Sequence, residues 1–260
     1  MKASVYAHFH PDEHRFVDKT LEWMERAGQQ HAVKLTDFLD PRQQFIVAAL
    51  AAKDDSVVVR QFGGYDDAER KRAIIAPAYR DPQPEDFAVQ VLAVTSDDSR
   101  ISSLEHGDYM GAILGLGVKR EKIGDIHVHD AGGCHTLVAA EIADFFRLQL
   151  TQVHRVAVSA DILPPDRLVR SAETLEEMTL SVASMRLDGI ASDVFRLSRA
   201  KVLLPIKAGK CRVNWKAEDD PSTPLREGDI VSMQGFGRFK VLELIGVSKK
   251  DRLRVRIGKY

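Results

Sequence analysis

The sequence has few cysteines and no long apolar run, and both absences exclude classes of protein. Its two cysteines, Cys134 and Cys211, lie far apart with no C-x-x-C partner, so the sequence predicts neither a zinc site nor a disulfide framework. No apolar stretch reaches the roughly 18 residues needed to span a bilayer. The first residues, MKASVYAHFHPDEH, lack the apolar core of a signal peptide. We therefore expect a reduced, soluble, cytoplasmic protein with two or three domains.

Charge is unevenly distributed along the chain, although the net charge is only −1. Residues 1–185 carry 20 Lys and Arg against 29 Asp and Glu, a net charge of −9. Residues 186–260 carry 17 against 9, a net charge of +8. Such asymmetry is typical of a protein in which one module faces a polyanion. A solvated basic surface would give the same totals, so charge alone does not decide between the two.

The basic C-terminal part begins with a pattern of two short helices. Apolar residues recur at helical spacing from Leu187 to Leu197, Ser198 can cap the second helix and Gly209 can end it. The stretches KCRVNW and PLREGDIVSMQGFGRFKVLELIGV predict a strand, a turn and two further strands. Arg and Lys side chains at the helix starts and at the strand entry would form a surface that suits RNA phosphates.

This stretch resembles the S4 RNA-binding domain, an αL-type module. The matching pieces are RLD at 186–188, SR at 198–199, KAGK at 207–210, RVN at 212–214 and GDI at 228–230. The resemblance implies that Arg186 and Arg199 contact the RNA backbone, that Asp188 orients the basic surface and that Asn214 shapes a turn. Trp215 stands where many S4 domains have Gly. The predicted RNA-binding residues are Arg186, Asp188, Ser198, Arg199, Lys201, Lys207, Lys210, Arg212, Asn214, Lys216 and Arg238.

The upstream sequence narrows the resemblance further. FLDPRQQFIVAAL, FGGYDDAERKRAIIAPAY and above all LGVKREKIGDI resemble YlmH-type S4 proteins, a family that includes cyanobacterial proteins labelled photosystem II S4 proteins. With the S4 module, the resemblance covers nearly the whole chain. It implies binding to ribosomal RNA on the large ribosomal subunit. Related S4 proteins act on obstructed subunits that still carry peptidyl-tRNA, and the family is also linked with cell division.

The predicted architecture is α+β with three domains. Residues 1–84 form a mostly helical N-terminal domain, which includes a helix in DDAERKRAII. Residues 85–162 alternate as βαββαβ, the split-βαβ arrangement of ferredoxin-like and RRM folds, with VHRVAVSA as the last strand. The predicted strands lack the aromatic pair with which an RRM stacks bases. Residues 183–260 form the S4 domain.

Two groups of residues outside the S4 pattern have the chemistry of a site. Lys119, Arg120 and Lys122 form either a secondary RNA contact or a plain basic loop. His127 and His129 share one face of a strand, but no third ligand has suitable spacing, so the sequence predicts no metal site.

The sequence favours a non-catalytic protein over an RNA-modifying enzyme. S4 modules also accompany pseudouridine synthases and rRNA methyltransferases, but neither the catalytic Asp motif of the former nor the Gly-rich cofactor loop of the latter is present. Glu105 and Asp108 lie within one helical turn and suit capping better than acid–base chemistry. We expect no catalytic residue, no cofactor and a monomer. The enzyme alternative stays open to one test, a search for missing pseudouridine or methyl groups in rRNA from a deletion strain.

Overall fold

The computed structural model of the protein describes residues 5–172, 175–247 and 251–260. The chain forms two compact units, Met1–Ala172 and Glu173–Tyr260. Each unit packs helices on antiparallel sheet, so the predicted α+β class is confirmed. None of the helices in the described ranges combines the length and the apolar character that crossing a membrane requires.

The first part of the N-terminal unit packs two helices on a small sheet. The helices are α1 (His14–Gln30) and α2 (Pro41–Ala51). The strands are β1 (Lys34–Leu35), β2 (Val57–Phe62) and β3 (Arg72–Pro77), in the sheet order β1–β3–β2. As the sequence predicts, Asp40 caps α2, because its carboxylate accepts the backbone N–H of Gln43 at 2.8 Å.

The sequence predicts a helix from Asp66 to Ile75, and this prediction is wrong, because the end of this segment belongs to strand β3. The two faces of β3 enter different cores. Ala73 and Ile75 pack with apolar residues of α1 and α2, whereas Ile74 and Ala76 pack on the sheet of the central region. A strand that is buried on both faces lacks the alternation of apolar and polar residues by which strands are recognised. The N-terminal region therefore packs helices on a sheet, and its helices α1 and α2 both lie before residue 52.

The central region has the predicted βαββαβ order. Strands β4 (Val89–Thr95), β5 (Ile123–Val128), β6 (Cys134–Ala139) and β9 (Ser159–Leu163) form an antiparallel sheet in the order β5–β6–β4–β9. Helices α3 (His106–Gly115) and α4 (Ala140–Gln149) pack on one face. The predicted single strand VHRVAVSA is instead a short hairpin followed by the start of β9. The hairpin consists of β7 (Gln152–Val153) and β8 (Val156–Ala157).

The C-terminal unit packs two helices on a six-stranded antiparallel sheet. Helices α5 (Leu187–Val194) and α6 (Arg199–Lys207) form as predicted. The strands are β10 (Glu176–Val182), β11 (Cys211–Val213), β12 (Lys216–Ala217), β13 (Ile230–Met233), β14 (Gly237–Val247) and β15 (Leu253–Lys259), in the order β10–β15–β14–β13–β11–β12. Gly209 ends α6 in the left-handed conformation that suits glycine, with φ of +67°.

The sequence predicts that the S4 domain starts at residue 183, but strand β10, which belongs to the same sheet, lies before that residue. It pairs with β15 along its whole length, from Glu176 opposite Lys259 to Val182 opposite Leu253. Val182 is buried in the same core as the two helices. The C-terminal unit therefore begins earlier than residue 183, while the division of residues 1–162 into two domains stays a prediction.

Candidate nucleic-acid interface

The starts of the two C-terminal helices meet around one carboxylate. Arg186 is the residue that precedes the first turn of α5, and its guanidinium donates two hydrogen bonds to Asp188, of 3.0 and 3.2 Å. The Asp188 carboxylate also accepts the backbone N–H of Gly189 at 2.9 Å. Asp188 is only 6% exposed, whereas Arg186 is exposed. A buried carboxylate thus fixes an arginine that faces solvent.

Arg199, the first residue of α6, lies beside the same carboxylate. A Cβ atom on Gly189 would stand 3.4 Å from an Nη atom of Arg199, so the guanidinium passes close over this glycine. Burial raises the pKa of Asp188, but its hydrogen bonds and the charges of Arg186 and Arg199 outweigh burial, and the net pKa is lowered. Two guanidinium groups are therefore placed together at two helix N-termini, where backbone N–H groups also favour an anion.

The other predicted residues of α6 divide into one structural residue and three exposed cations. Ser198 caps the helix, with its hydroxyl accepting the backbone N–H of Lys201 at 3.4 Å. The side chains of Lys201, Lys207 and Lys210 are exposed. Ser198 therefore acts on helix geometry, and the lysines add positive charge along and beyond the helix.

Asn214 positions the turn between β11 and β12. Its side-chain amide donates to the carboxylate of Asp229 at 2.8 Å, and its side-chain oxygen accepts the backbone N–H of Ile230 at 2.9 Å. Asn214 and Trp215 both have positive φ, of +50° and +64°. Asparagine tolerates this conformation, whereas a bulky side chain at positive φ is an outlier that costs about 1–3 kcal/mol. Lys216 follows at the start of β12, with its side chain exposed.

Arg212 and Arg238 lie on the sheet face that points away from α5 and α6. Their neighbours along the strands, such as Val213 and Phe239, point into the core, and side chains alternate along a strand. Arg212 is opposite Ser232, and Ser232 is opposite Arg238. The structure therefore places Arg212 and Arg238 on a different surface from Arg186 and Arg199, which lie at the helix starts.

The outer sheet face also contains residues that the sequence reasoning missed. The Tyr260 ring lies 3.9 Å from the guanidinium of Arg238, and Arg254 and Arg256 alternate with the buried Val255 and Ile257. The alternation of basic and apolar residues in DRLRVRIGK is the pattern of a strand with one basic face, and it would have identified them. Part of this charge is neutralised, since Arg256 pairs with Glu243 at 2.8 Å.

The predicted secondary contact in the central region is only partly exposed. The Arg120 guanidinium donates to the backbone carbonyls of Ile123 and Gly124, and burial together with the charge of Arg70 lowers its pKa to about 10. The other basic residue after it, Lys122, bridges two carboxylates, Asp37 at 2.6 Å and Glu141 at 2.9 Å. Arg120 and Lys122 thus both make contacts within the fold, and their role as a secondary RNA contact stays a prediction. Lys119 is exposed.

The central sheet does not offer the face on which RRM domains stack bases. On the face away from α3 and α4, Leu137 packs with Phe38 of the first part of the unit. Farther along this face, the backbone N–H of Val169 donates to His135 Nδ1 at 3.0 Å, and the Val169 carbonyl lies 3.2 Å from His129 Nε2. The unit therefore covers this face with its own residues.

Residue types that serve acid–base, thiol or metal chemistry in other proteins are engaged in capping or are buried here. The Asp108 carboxylate accepts the backbone N–H of Glu105 at 2.9 Å, which is the predicted capping. Burial raises the pKa of Cys134 and of Cys211 to about 12, so neither supplies a thiolate at neutral pH. Within the described ranges, no cluster of three His, Cys, Asp or Glu has a geometry that could hold a metal ion.

Two family models match the chain. The model described as "YlmH, N-terminal" matches residues 12–80, and the model described as "Putative RNA-binding domain in YlmH" matches residues 82–165. The class is thus an α+β protein in which a domain of the second YlmH type follows a YlmH N-terminal domain. The chain belongs to the YlmH family, which confirms the resemblance noted in the sequence.

Two individual proteins extend the match. The "Ribosome-associated protein quality control protein P2" of Bacillus subtilis (strain 168) is 41% identical over 253 residues, which is 97% of each chain. The fold is shared with the solved structure titled "Cell division protein ylmH from Streptococcus pneumoniae", which is 23% identical with a TM-score of 0.55. That match covers 62% of this chain and 98% of the other.

Proposed function

We propose that this protein is a non-catalytic RNA-binding protein of ribosome-associated quality control. It binds structured ribosomal RNA on the large ribosomal subunit in the cytoplasm, with peptidyl-tRNA as a further partner, and acts as a monomer. The observation that supports this proposal best is the placement of Arg186 and Arg199 around Asp188 at the starts of two helices. This arrangement presents two guanidinium groups side by side to an RNA backbone, and Asp188 holds one of them in place.

The charge of the two units supports the same assignment. The C-terminal unit, Glu173–Tyr260, carries 17 Lys and Arg against 12 Asp and Glu. Residues 82–165, to which the family description attaches RNA binding, carry 6 against 12, a net charge of −6. A polyanion is attracted by the first and repelled by the second. We therefore assign most of the affinity to the C-terminal unit.

The name of the Bacillus relative supports the physiological part of the proposal. That protein is described as ribosome-associated and as part of protein quality control, and the identity of 41% extends over nearly the full length of both chains. The proposal carries this role to the present chain, with the α5–α6 surface as the part that contacts the ribosome.

Association with purified large ribosomal subunits tests the proposal. We expect Arg199→Ala to weaken co-sedimentation of the full chain about ten-fold, the range for loss of a charge-assisted contact. The Arg186→Ala/Arg199→Ala variant should lose most of the association. Arg199→Ala is the cleaner single change, because it leaves the Arg186–Asp188 pair intact.

The matched control removes two positive charges from the other unit. In the N-terminal unit, Lys53 is exposed and Lys71 is half-buried, and both lie outside the S4 pattern. The Lys53→Ala/Lys71→Ala variant should therefore bind nearly as the wild type does. If the Arg186/Arg199 double variant is folded by circular dichroism and still co-sediments like the control, the proposed interface is wrong.

A further inference from the structure

We propose that Trp215, in the β11–β12 turn, stacks on an unpaired RNA base. The proposal rests on the function proposed above and deepens it. Phosphate contacts by arginine hold any RNA, whereas an aromatic ring that accepts a free base selects RNA with unpaired nucleotides. Trp215 would then be the residue through which the C-terminal unit distinguishes a loop, bulge or end from a continuous duplex.

The turn is one that disfavours tryptophan at this position. Val213 pairs with Lys216, so the loop consists of two residues, Asn214 and Trp215, both at positive φ. Two-residue hairpin loops with positive φ at both positions prefer Asn followed by Gly. The first residue follows this preference. The second does not, because Trp215 has φ of +64°, and the fold would be more stable with glycine there.

The surrounding hydrogen bonds hold the tryptophan in this conformation. The Asn214 backbone N–H donates to the Ile230 carbonyl at 2.8 Å, and the Asn214 side chain adds the two contacts already described. The Arg212 guanidinium donates to the Trp215 carbonyl at 3.0 Å. The backbone of the turn is therefore determined by groups other than the indole. Strain that is fixed in this way is typical of functional positions.

Core packing does not explain the indole. Trp215 as a whole residue is half-buried, but the apolar core of the C-terminal unit, as formed by its described residues, does not include it. By contrast Trp23, the other tryptophan of the chain, packs on the core of its own unit. An aromatic side chain that strains its backbone and adds little to the core has a more direct explanation in ligand binding.

The neighbours of Trp215 suit a nucleotide. The side chains of Arg212 and Lys216 are exposed on either side of the turn in the sequence. Aromatic side chains next to cations are the arrangement with which proteins bind single-stranded nucleic acid, because the ring stacks on a base while the cations contact phosphate. A base inside a duplex already has both faces covered, so the ligand is a base that is unpaired or turned out of its helix.

Tryptophan fluorescence measures this contact directly in the full chain. Trp23→Phe leaves Trp215 as the single tryptophan. The probes are an RNA hairpin with an unpaired loop and a blunt RNA duplex of the same stem. We expect the loop RNA to quench the fluorescence and the duplex to leave it nearly unchanged at equal occupancy. Bound loop RNA without quenching would overturn the proposal.

Two variants separate stacking from a structural role. We expect Trp215→Gly to weaken loop-RNA binding about ten-fold, the range for loss of one stacked base, and to leave duplex binding unchanged. Its midpoint of thermal unfolding should equal or exceed that of the wild type, because glycine relieves the backbone strain. Trp215→Phe should retain most of the loop-RNA affinity. A structural tryptophan would instead give a lower thermal midpoint in Trp215→Gly.

The outcomes also distinguish this proposal from the proposed function. If Arg186→Ala/Arg199→Ala weakens binding of both RNAs and Trp215→Gly weakens neither, stacking is wrong and the phosphate-binding surface stands. If the wild-type protein binds neither RNA, or the double arginine variant binds both as tightly as the wild type, the proposed function fails and the stacking proposal fails with it.

Discussion

At the scale of single residues, Asp188 makes the stability of the C-terminal unit depend on pH. Burial raises its pKa, but Arg186, Gly189 and Arg199 lower it further than burial raises it, so the folded-state value lies below the ordinary 3.8. Such a carboxyl stabilises the native state at all pH values above its unfolded pKa. The stabilisation is lost as the pH falls through the lower folded-state pKa.

We therefore expect Asp188→Asn to unfold at a lower denaturant concentration than the wild type at neutral pH, and the difference to shrink below about pH 4. Denaturant unfolding over a pH series measures this. Asp193→Asn, an exposed change on the same helix, is the control and should follow the wild type throughout. A difference that stays constant down to pH 2 would mean that the charge of Asp188 is not what stabilises the fold.

Single residues also show what sequence can predict about the interface. The S4 resemblance implies that Arg186 and Arg199 act together with Asp188, and the structure does bring the three residues to the starts of two consecutive helices. The ion pairs of Lys122 with Asp37 and Glu141 were not predictable, because a local sequence pattern carries no information on partners from distant parts of the chain. Whether a basic residue has a carboxylate partner therefore cannot be told from its place in the sequence, when that partner lies far along the chain.

At the scale of secondary structure, β10 decides where the C-terminal unit can be cut. Val182 is buried and Met178 and Leu180 pack on the same core. Burying a valine side chain alone contributes about 1.5–3 kcal/mol. We expect a fragment of residues 175–260 to fold and to keep most of the RNA affinity of the full chain. A fragment of residues 183–260, without β10, should have a clearly lower thermal midpoint.

Circular dichroism melting of the two fragments, with RNA binding measured on the longer one, provides the test. Equal thermal midpoints would show that β10 contributes nothing to the fold. RNA binding by residues 1–172 that equals that of residues 175–260 would place the affinity in the acidic unit and contradict the assignment made from charge.

The elements that were not predicted from the sequence have one thing in common: they depend on contacts between distant parts of the chain. Helices α5 and α6 and strand β11 are fixed by local signals, such as the Ser198 cap and the turn at Asn214. Strand β10 instead depends on β15, which follows it by more than 70 residues, and β3 depends on two cores at once. The segment before β3 is held by Asp125, which accepts the backbone N–H of Arg70 at 3.0 Å from 55 residues away. Pairing over such distances leaves little trace in a local sequence pattern.

At the scale of the whole molecule, charge separation predicts a strong dependence of RNA binding on salt. With about four to six phosphate contacts, the slope of the logarithm of Kd against the logarithm of salt concentration should be about 3–5. The double variant Arg186→Ala/Arg199→Ala should lower this slope by about 2. Binding titrations over a series of salt concentrations measure both values. A flat salt dependence would mean that the basic unit is a solvated surface rather than a phosphate-binding one.

Under the function proposed above, the ion pair between Arg186 and Asp188 affects the rate at which RNA is exchanged. In the free protein the carboxylate already restricts the rotamers of this arginine, so the loss of side-chain entropy occurs during folding rather than during association. The same carboxylate also weakens the field that an incoming phosphate feels, which favours fast dissociation. An arginine that is ordered before binding and partly neutralised by its own carboxylate would give both fast association and fast dissociation.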